Sequence, residues 1–327
     1  MSPFSISVRL ATWNLRFDAQ PDSIPVAASL AALPDPRAAP LQVLLGEQPW
    51  SDRRVRVAQR LWASHVDLVG FQEALIRQVR DLEELMDNEF AWVGVGRDDG
   101  IAAGEFNPIF YRRTAFTLLE TDTFWLSHEP FKPGSRFPGA GSPRLATFAL
   151  FRLSAPAGNP PRNVALINLH LDNVSDAQRR FGAAMVLHRA RFEAYERPEV
   201  PLLVTGDFNS STSGPDSGAY AVLTGTAPAP TIPDEFARRF PFPSRPNAAG
   251  LVMHDLRVVA PRPFVGGDWA TFTDFWHRKD DQELIDFVFG RSDGGWKAKG
   301  AFIETALSDD GMLASDHRPV VTDVVIS

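Results

Sequence analysis

Residues 202–210, LLVTGDFNS, carry an apolar run directly into an acid and an amide. The run has the aliphatic composition of a buried strand. Side chains two apart on a strand project to one face, so Asp207 and Asn209 would enter one cavity if the extended backbone continued. Gly, Asp, Asn and Ser also favour turns, and the stretch alone fits an ordinary strand-to-turn transition equally well. The rest of the chain decides between these two interpretations.

The composition is that of a soluble globular protein. The 327 residues are 44% hydrophobic and 22% charged, which excludes a disordered chain. No run of about 18 apolar residues occurs, so no membrane-spanning helix is predicted. The N-terminus has no basic region followed by an apolar core, and the missing secretory signal predicts a cytoplasmic location. Cysteine is absent, so any metal site must use oxygen and histidine ligands.

The charge balance bears on the partners of the protein. A net charge of -7 gives no general positive field, which argues against a protein that coats long nucleic acid. Nothing in the sequence predicts an oligomeric state. Four arginine pairs are scattered along the chain, and we expect most of them on solvated helix faces: Arg53–Arg54, Arg112–Arg113, Arg179–Arg180 and Arg238–Arg239.

Apolar strands alternate with helices, although several strands follow one another directly. Periodicity predicts helices over 53–64, 75–86 and 176–196. The Pro-rich segments 19–50 and 211–250 are predicted to be long loop insertions. The pattern indicates mixed sheets flanked by helices, and one domain over 1–327. Strands are predicted at 8–13, 66–73, 90–95, 107–113, 115–126, 145–153, 163–172, 201–209, 283–290 and 319–327.

Polar residues recur where these strands end. Groups at strand ends of layered α/β folds collect in one pocket. Each has an ordinary alternative, such as a turn residue, a helix-start acid or a surface imidazole, and only the repetition favours a shared site. The recurring residues are Asn14, Glu73, His170, Asp207 with Asn209, Asp286, and Asp316 with His317.

Six short motifs resemble the endonuclease/exonuclease/phosphatase superfamily of Mg²⁺-dependent phosphoesterases. The resemblance implies a DNase I-like four-layer α/β sandwich, in which two mixed, mostly antiparallel sheets pack face to face between helices. GDFN and SDHRP are the most specific motifs. In chain order, the motifs are TWN, FQE, NLHLDN, GDFN, LIDFVF and SDHRP, which together span residues 12–319.

The resemblance implies a site for Mg²⁺, or for Mn²⁺ in its place. Glu73 is the expected principal ligand, supported by Asn14 and Asp316, since a hard dication prefers oxygen. Some nuclease members carry an acid two residues after the first-strand Asn, but this chain has Arg16 there. Asp18, two residues later, could substitute for that acid.

The resemblance also implies catalytic roles. Asp207 is expected to orient and deprotonate the attacking water, while Asn209 holds that water or a phosphate oxygen. His317 is expected to hydrogen bond the scissile phosphate, with His170 donating from the opposite side. Asp286 would orient His317 and keep it protonated. This set fits phosphoryl transfer, which is catalysed mainly by positioning and by stabilising anionic oxygens.

Other residues are candidates for substrate binding. Arg144 is similar to an arginine that contacts phosphate in relatives, and the alternative is an ion pair at a strand edge. The segment 104–112, GEFNPIFYR, resembles bacterial and fungal members of unassigned substrate, and its Glu105, Asn107 and Tyr111 would line the pocket or shape the strand. The segment 274–279, DFWHRK, would stack a base or touch lipid, or else form a loop with a buried Trp.

The motifs predict a metal-dependent phosphoric ester hydrolase. The favoured activity is a phosphatase or phosphodiesterase acting on a small or terminal phosphate ester. The alternatives are a nuclease acting on DNA or RNA, which would need a basic groove, and a non-catalytic phosphate-binding protein. The intact set of Glu73, Asp207, Asn209, Asp316 and His317 argues against the last of these.

Overall fold

Two twisted β-sheets pack face to face in the computed structural model, which describes residues 4–35, 37, 46–243, 250–276, 279–308 and 310–327. The strands are β1 (Ile6–Asn14), β2 (Leu68–Gln72), β3 (Phe90–Val93), β4 (Ile109–Arg112), β5 (Phe116–Trp125), β6 (Leu145–Leu153), β7 (Arg162–His170), β8 (Leu202–Asp207), β9 (Met253–Asp255), β10 (Val265–Gly267), β11 (Asp286–Arg291), β12 (Trp296–Ile303) and β13 (Val320–Ile326).

The first sheet has seven strands in the order β10-β12-β13-β1-β2-β4-β3, and the second has six in the order β5-β6-β7-β8-β11-β9. Each sheet contains a parallel pair near its centre, β1 with β2 and β7 with β8. Antiparallel neighbours flank both pairs, which makes the sheets mixed. Strand order therefore places β1 and β8, whose ends carry TWN and GDFN, in the interior of their sheets.

Helices cover both outer faces, except for one short helix that contributes Leu256 to the cluster between the sheets. Their bounds are α1 (Val26–Ala31), α2 (Trp50–Ala63), α3 (Ile76–Leu85), α4 (Asp176–Glu196), α5 (Gly218–Thr224), α6 (Asp234–Arg239) and α7 (Leu256–Val259). Ser175 caps α4, since its hydroxyl accepts the N–H of Gln178. None of the helices in the described part of the chain is long and apolar enough to cross a membrane.

Three hydrophobic clusters correspond to the three contacts between four layers. One cluster lies between the sheets and includes Leu10, Leu203 and Val288. A second joins the six-stranded sheet to α4 and includes Val204, and a third joins the other sheet to α2 and α3 and includes Trp13. Successive side chains thus alternate between the core between the sheets and the helix layers. The expected four-layer α/β sandwich is confirmed.

The described parts of 19–50 and 211–250 contain helices where the sequence predicts loops. α5 and α6 follow the GDFN motif, and their buried Leu223 and Phe236 pack into the same cluster as α4. These helices have fewer than eight residues, too short for a clear helical period to show in the sequence. Residues 36, 38–45 and 244–249 of these segments lie outside the described residues. The strands β9, β10 and β12 were also not predicted.

Candidate active site

Six strand termini meet at one edge of the sandwich and supply the candidate site. β1, β2, β7 and β8 all end there. β13 and β11 are antiparallel to β1 and β8, so they begin at the same edge. Asp207 is consequently in register with His170 on one side and with Asp286 on the other. Asp286 starts its strand, which corrects the expectation that it would end one.

Alternate side chains of each strand face the space between the sheets, and on β1, β7 and β8 the last of these lie at the site. Asn168, midway along β7, joins the two sheets: its Nδ2 donates to the carbonyl of Phe71 at 2.7 Å, and its Oδ1 accepts from Gln72 at 2.7 Å. An uncharged polar layer therefore separates the apolar core from the site. The same order, apolar then uncharged polar then site residue, occurs as Leu10, Thr12 and Asn14 on β1, as Leu166, Asn168 and His170 on β7, and as Leu203, Thr205 and Asp207 on β8.

Asp207 is buried at the centre of the site. Its Oδ2 accepts a hydrogen bond from Asn14 Nδ2 at 2.9 Å. The same oxygen lies 3.5 Å from His170 Nε2 and 3.7 Å from His317 Nε2. Burial, and next the charge of Asp286, raise the pKa of Asp207 to about 7 despite the nearby His317. A carboxylate that exchanges a proton near neutrality is suited to general base chemistry.

Asn209 belongs to a turn and not to the strand. β8 ends at Asp207, whose Oδ1 accepts the N–H of Asn209 at 2.9 Å, and Asn209 has φ of 45°. Its Nδ2 lies 3.0 Å from the carbonyl of Leu171 and 3.0 Å from His170 Nε2. The strand and turn interpretations of LLVTGDFNS are thus each partly correct. The strand ends at Asp207, and the turn that follows places the Asn209 side chain in the same cavity.

The same contacts define the protonation of His170. The carbonyl of Leu171 can only accept, so the neighbouring atom of Asn209 is the amide nitrogen, and His170 Nε2 must accept from it. Burial lowers the pKa of His170 well below its usual value, so the ring is neutral and carries its proton on Nδ1. That atom lies 3.9 Å from Glu105 Oε2. In this arrangement Nε2 holds Asn209, which differs from the predicted donation to phosphate.

His317 and Asp286 form a buried pair. His317 Nδ1 lies 2.8 Å from Asp286 Oδ2, which leaves Nε2 facing Asp207. Burial alone would lower the pKa of His317, but Asp286 and Asp207 outweigh it and raise that pKa to about 10. Ser315 fixes the main chain here, since its hydroxyl accepts the N–H of His317 at 3.1 Å. The imidazolium is therefore a potential donor whose orientation Asp286 holds.

Glu73 and Asp316 supply carboxylates to the same cavity. Glu73 has φ of 61°, a left-handed conformation that a non-glycine residue adopts rarely. Its Oε2 accepts the N–H of Phe17 at 3.1 Å and its Oε1 accepts from Asn14 Nδ2 at 3.0 Å. Burial raises the pKa of Asp316. The positive charge of His317 lowers this pKa and the negative charge of Glu73 raises it, and the net shift is upward. A bound cation would relieve the repulsion between two such neighbouring carboxylates.

Asn14 hydrogen bonds both Glu73, the expected metal ligand, and Asp207, the expected base. Its Oδ1 accepts the N–H of Arg16 at 2.9 Å, and its Nδ2 donates to both Glu73 and Asp207. Asn14 thus presents its nitrogen to the carboxylates, whereas a metal ligand would present oxygen. Its predicted ligand role requires the amide to turn.

Arg144 also lines the cavity. Its Nη2 donates to Asn173 Oδ1 at 3.0 Å and its Nε to Asp172 Oδ2 at 3.4 Å. Its Nη1 is buried and has no hydrogen-bond partner within the described residues. A guanidinium that is held on two sides and has a free N–H is ready to bind an anionic oxygen.

These groups line an open cavity of about 700 Å³. Among the described residues, eight carboxylate side chains and four arginines form its wall. The carboxylates are Glu47, Glu73, Glu105, Asp207, Asp216, Asp274, Glu283 and Asp316, and the arginines are Arg16, Arg97, Arg144 and Arg179. The cavity has room for a small ester, and its wall is mainly acidic.

The family model described as Endonuclease/Exonuclease/phosphatase family matches residues 11–317. The chain belongs to the endonuclease/exonuclease/phosphatase family. Members of this family hydrolyse phosphoric esters, so the protein is a phosphoric ester hydrolase with the DNase I-like fold. The resemblance drawn from the six motifs is thereby confirmed. The comparison with curated proteins found no match.

Solved structures of the family support this assignment. An endonuclease/exonuclease/phosphatase from Bacteroides vulgatus is 30% identical, with a TM-score of 0.74 over 98% of this chain and 100% of that chain. A mannosyl-6-phosphatase from Bacteroides thetaiotaomicron VPI-5482 is 21% identical, with a TM-score of 0.68 over 97% and 99%. D. rerio TDP2 in complex with a single strand DNA product is 14% identical, with a TM-score of 0.57 over 97% and 98%. The last two similarities show the fold alone.

Several candidates lie away from the cavity or differ from expectation. Asn107 donates from Nδ2 to the carbonyl of Leu145 at 2.8 Å and does not line the large cavity, although it lines a small pocket together with Glu105, Arg144 and His170. Asp18 accepts from Arg77 at 3.0 Å and does not line that cavity either. Trp276 is 56% exposed, which corrects the predicted buried Trp, while residues 277 and 278 lie outside the described residues.

Some arginines expected on solvated faces are buried. Arg53 is fully buried and donates to the carbonyl of Leu15 at 2.7 Å. Arg179 is 2% exposed and lines the cavity, where it pairs with Asp216. Helical spacing could have found both, since Arg53 and Arg179 each precede a buried residue by four positions, on the apolar face of their helices. Arg97, bound to Glu105, carried no such pattern.

Proposed function

We propose that the protein is a Mg²⁺-dependent phosphatase or phosphodiesterase that hydrolyses a small or terminal phosphate ester by in-line attack of water. The observation that carries this proposal is the arrangement at the cavity floor. Asp207 lies between Asn14 and the His317–Asp286 pair, next to Glu73, so a base, a cation site and a proton-bearing donor converge.

Glu73 and Asp316 would hold the metal. Ligand atoms of Glu73 lie within 4.8 Å of those of His170 and Asp207, and Asp316, which is outside that cluster, lines the same cavity. The oxygen-rich wall fits a hard dication such as Mg²⁺ or Mn²⁺. The fixed orientation of Asn14 leaves its oxygen turned away, so we assign the metal to the two carboxylates first. When bound, the cation would polarise the phosphate and neutralise the leaving oxygen.

Asp207 would accept the proton of the attacking water. Its Oδ1 and Oδ2 are held by Asn209 N–H and Asn14 Nδ2, which fix the direction of the carboxylate. Asn209 is itself held by His170, so both residues position the water-binding groups. Positioning of this kind lowers the entropic cost of bringing water and phosphate together.

His317 would donate to an oxygen of the scissile phosphate. Asp286 holds Nδ1 and leaves the proton on Nε2 directed into the cavity. Arg144 would bind a second oxygen through Nη1, its free guanidinium N–H. Two donors placed where negative charge develops stabilise the transition state of phosphoryl transfer.

The wall favours a small substrate over a long polyanion. Eight carboxylates line the cavity with four arginines and His317, so the wall lacks the excess of positive charge that holds a nucleic-acid backbone, whereas a single phosphate needs only the metal and a few donors. The alternative is a nuclease, and Arg16, Arg97, Arg144 and Arg179 are the groups that would contact its phosphates. The TDP2 relative, solved with a single strand DNA product, shares the fold and keeps this alternative open.

The experiment is hydrolysis of a substrate panel with Mg²⁺, Mn²⁺ or EDTA. The panel holds p-nitrophenyl phosphate, bis(p-nitrophenyl) phosphate, sugar and inositol phosphates, nucleotides, and single- and double-stranded DNA and RNA. We expect metal-dependent turnover of a small ester that changes little with salt. Turnover unaffected by EDTA would refute the metal mechanism. Preference for nucleic acid, with rates that fall steeply with salt, would establish the nuclease instead.

A further inference from the structure

Only one carboxylate oxygen of Asp286 takes part in the pair with His317. Oδ2 binds His317 Nδ1, but Oδ1 is buried and has no hydrogen-bond partner within the described residues. Leaving a buried carboxylate oxygen unpaired is costly. The environment of Oδ1 therefore bears on the orientation of the pair.

A small space that Asp286 helps to line lies between the two sheets. Its volume is about 10 Å³, and the apolar part of its wall is made of Leu284, Phe287, Val288, Ile303 and Val320. Asp286 and Thr322 also line it. This volume is at the lower limit for holding a single water molecule.

Thr322 presents a matching group. It lies on β13, is fully buried, and its Oγ1 has no hydrogen-bond partner within the described residues. The cavity has two other polar neighbours, which are already engaged. Asp255 accepts from the N–H of Arg257 and from Tyr220, and Arg257 donates to the carbonyl of Asp268. The two unpaired oxygens thus belong to Asp286 and Thr322, on opposite sheets.

We propose that Thr322 is a positioning residue that acts on Asp286 through one buried water. The Thr322 hydroxyl donates to this water, and the water donates to Asp286 Oδ1. Oδ2 is then held towards His317 Nδ1, so the ring keeps its orientation towards Asp207. This inference rests on the proposed function, because it concerns the orientation of the same His317.

The kinetic test compares Thr322→Val, which removes the hydroxyl at constant shape, with Thr322→Ser, which keeps it. We expect kcat for bis(p-nitrophenyl) phosphate to fall about tenfold in the Val variant with KM little changed, and the Ser variant to restore it. Thr147→Val is the matched control, since Thr147 also lies fully buried on a central strand with an unpaired hydroxyl but does not line this cavity. Equal kcat in Thr322→Val and wild type would overturn the proposal.

A crystal structure at a resolution that shows ordered water gives a readout independent of activity. We expect a water within hydrogen-bond distance of both oxygens in the wild type, and none in Thr322→Val. A direct hydrogen bond between Thr322 and Asp286, or an empty space, would refute the water. A wild-type enzyme without turnover but with this water would refute the proposed function alone, and would leave the structural link established.

Discussion

His317 Nε2 lies 3.7 Å from Asp207 Oδ2, although the two residues reach the site from different sheets. Asp207 ends β8, and His317 precedes β13 of the opposite sheet. Asp286 pairs in register with Asp207 and hydrogen bonds His317, so it connects the two. The catalytic arrangement therefore exists only while the sheets stay packed together.

Asp207→Asn should remove catalysis without unfolding the protein. The amide is close in shape but cannot accept a proton, and we expect kcat to fall about 10³-fold. Burial raises the pKa of Asp207, so a neutral amide there should leave Tm unchanged or higher. Hydrolysis assays and thermal unfolding measure both, with Asp234→Asn on the exposed start of α6 as control. A variant that keeps more than a tenth of wild-type kcat would contradict the assignment of the base.

Asp286 and His317 should act as one unit. We expect Asp286→Asn and His317→Gln each to lower kcat by about 10²-fold, and the double variant to be no slower than either single variant. The reason is that Asp286 contributes through His317, whose Nδ1 it holds at 2.8 Å. Multiplying effects in this double-mutant cycle would mean that the two residues act separately.

Glu73 should be required for metal binding. A cation that binds the folded state raises Tm, and we expect Mg²⁺ to raise the Tm of the wild type. Glu73→Gln should abolish this rise, because the amide removes the charge that attracts the ion. Glu84→Gln, at an exposed position of α3, should keep it. An undiminished Mg²⁺-dependent rise in the Glu73 variant would place the metal elsewhere.

Arg144→Lys should weaken substrate binding. Lysine keeps the charge but cannot hold Asn173 and Asp172 while keeping a further N–H free for an anionic oxygen. We expect KM to rise about tenfold with a smaller change in kcat. Arg113→Lys, at an exposed position, serves as the matched control. Unchanged KM would show that Arg144 is a structural ion pair, the alternative that the sequence left open.

Asp172 should make the free energy of unfolding depend on pH in the acid range. Burial raises the pKa of this carboxyl, but N–H groups of Gly141, Ser175 and Val174, together with Arg144, outweigh it and hold the pKa below its usual value. A lowered folded-state pKa contributes stability above the unfolded value of about 3.9, and that stability is lost as pH falls through the folded value.

The corresponding variant is Asp172→Asn. We expect it to lower the free energy of unfolding by about 1–3 kcal/mol at pH 7, since one buried N–H cluster loses its charged acceptor. The difference from wild type should shrink below pH 4, and denaturant unfolding at both pH values measures it. A difference that does not change with pH would mean that shape, and not charge, matters at this position.

The sequence by itself determined the chemistry and most of the framework. Apolar runs that end in a polar residue located the strands that carry Asn14, His170 and Asp207, and the predicted helix over 176–196 matches α4 to the residue. The polar residues at strand ends and the six motifs identified the family. These features are local, because each can be recognised from residue types within a short segment of the chain.

Only the tertiary structure decided how the groups face one another. That Nε2 of His170 accepts from Asn209, that Asn14 turns its nitrogen to the carboxylates, and that Arg179 enters the cavity all depend on contacts between distant segments. The pairing of Asp286 with His317, and the space shared with Thr322, depend on the packing of two sheets. Such contacts join residues far apart in the chain, so strand order and layer packing determine them, and the local pattern does not.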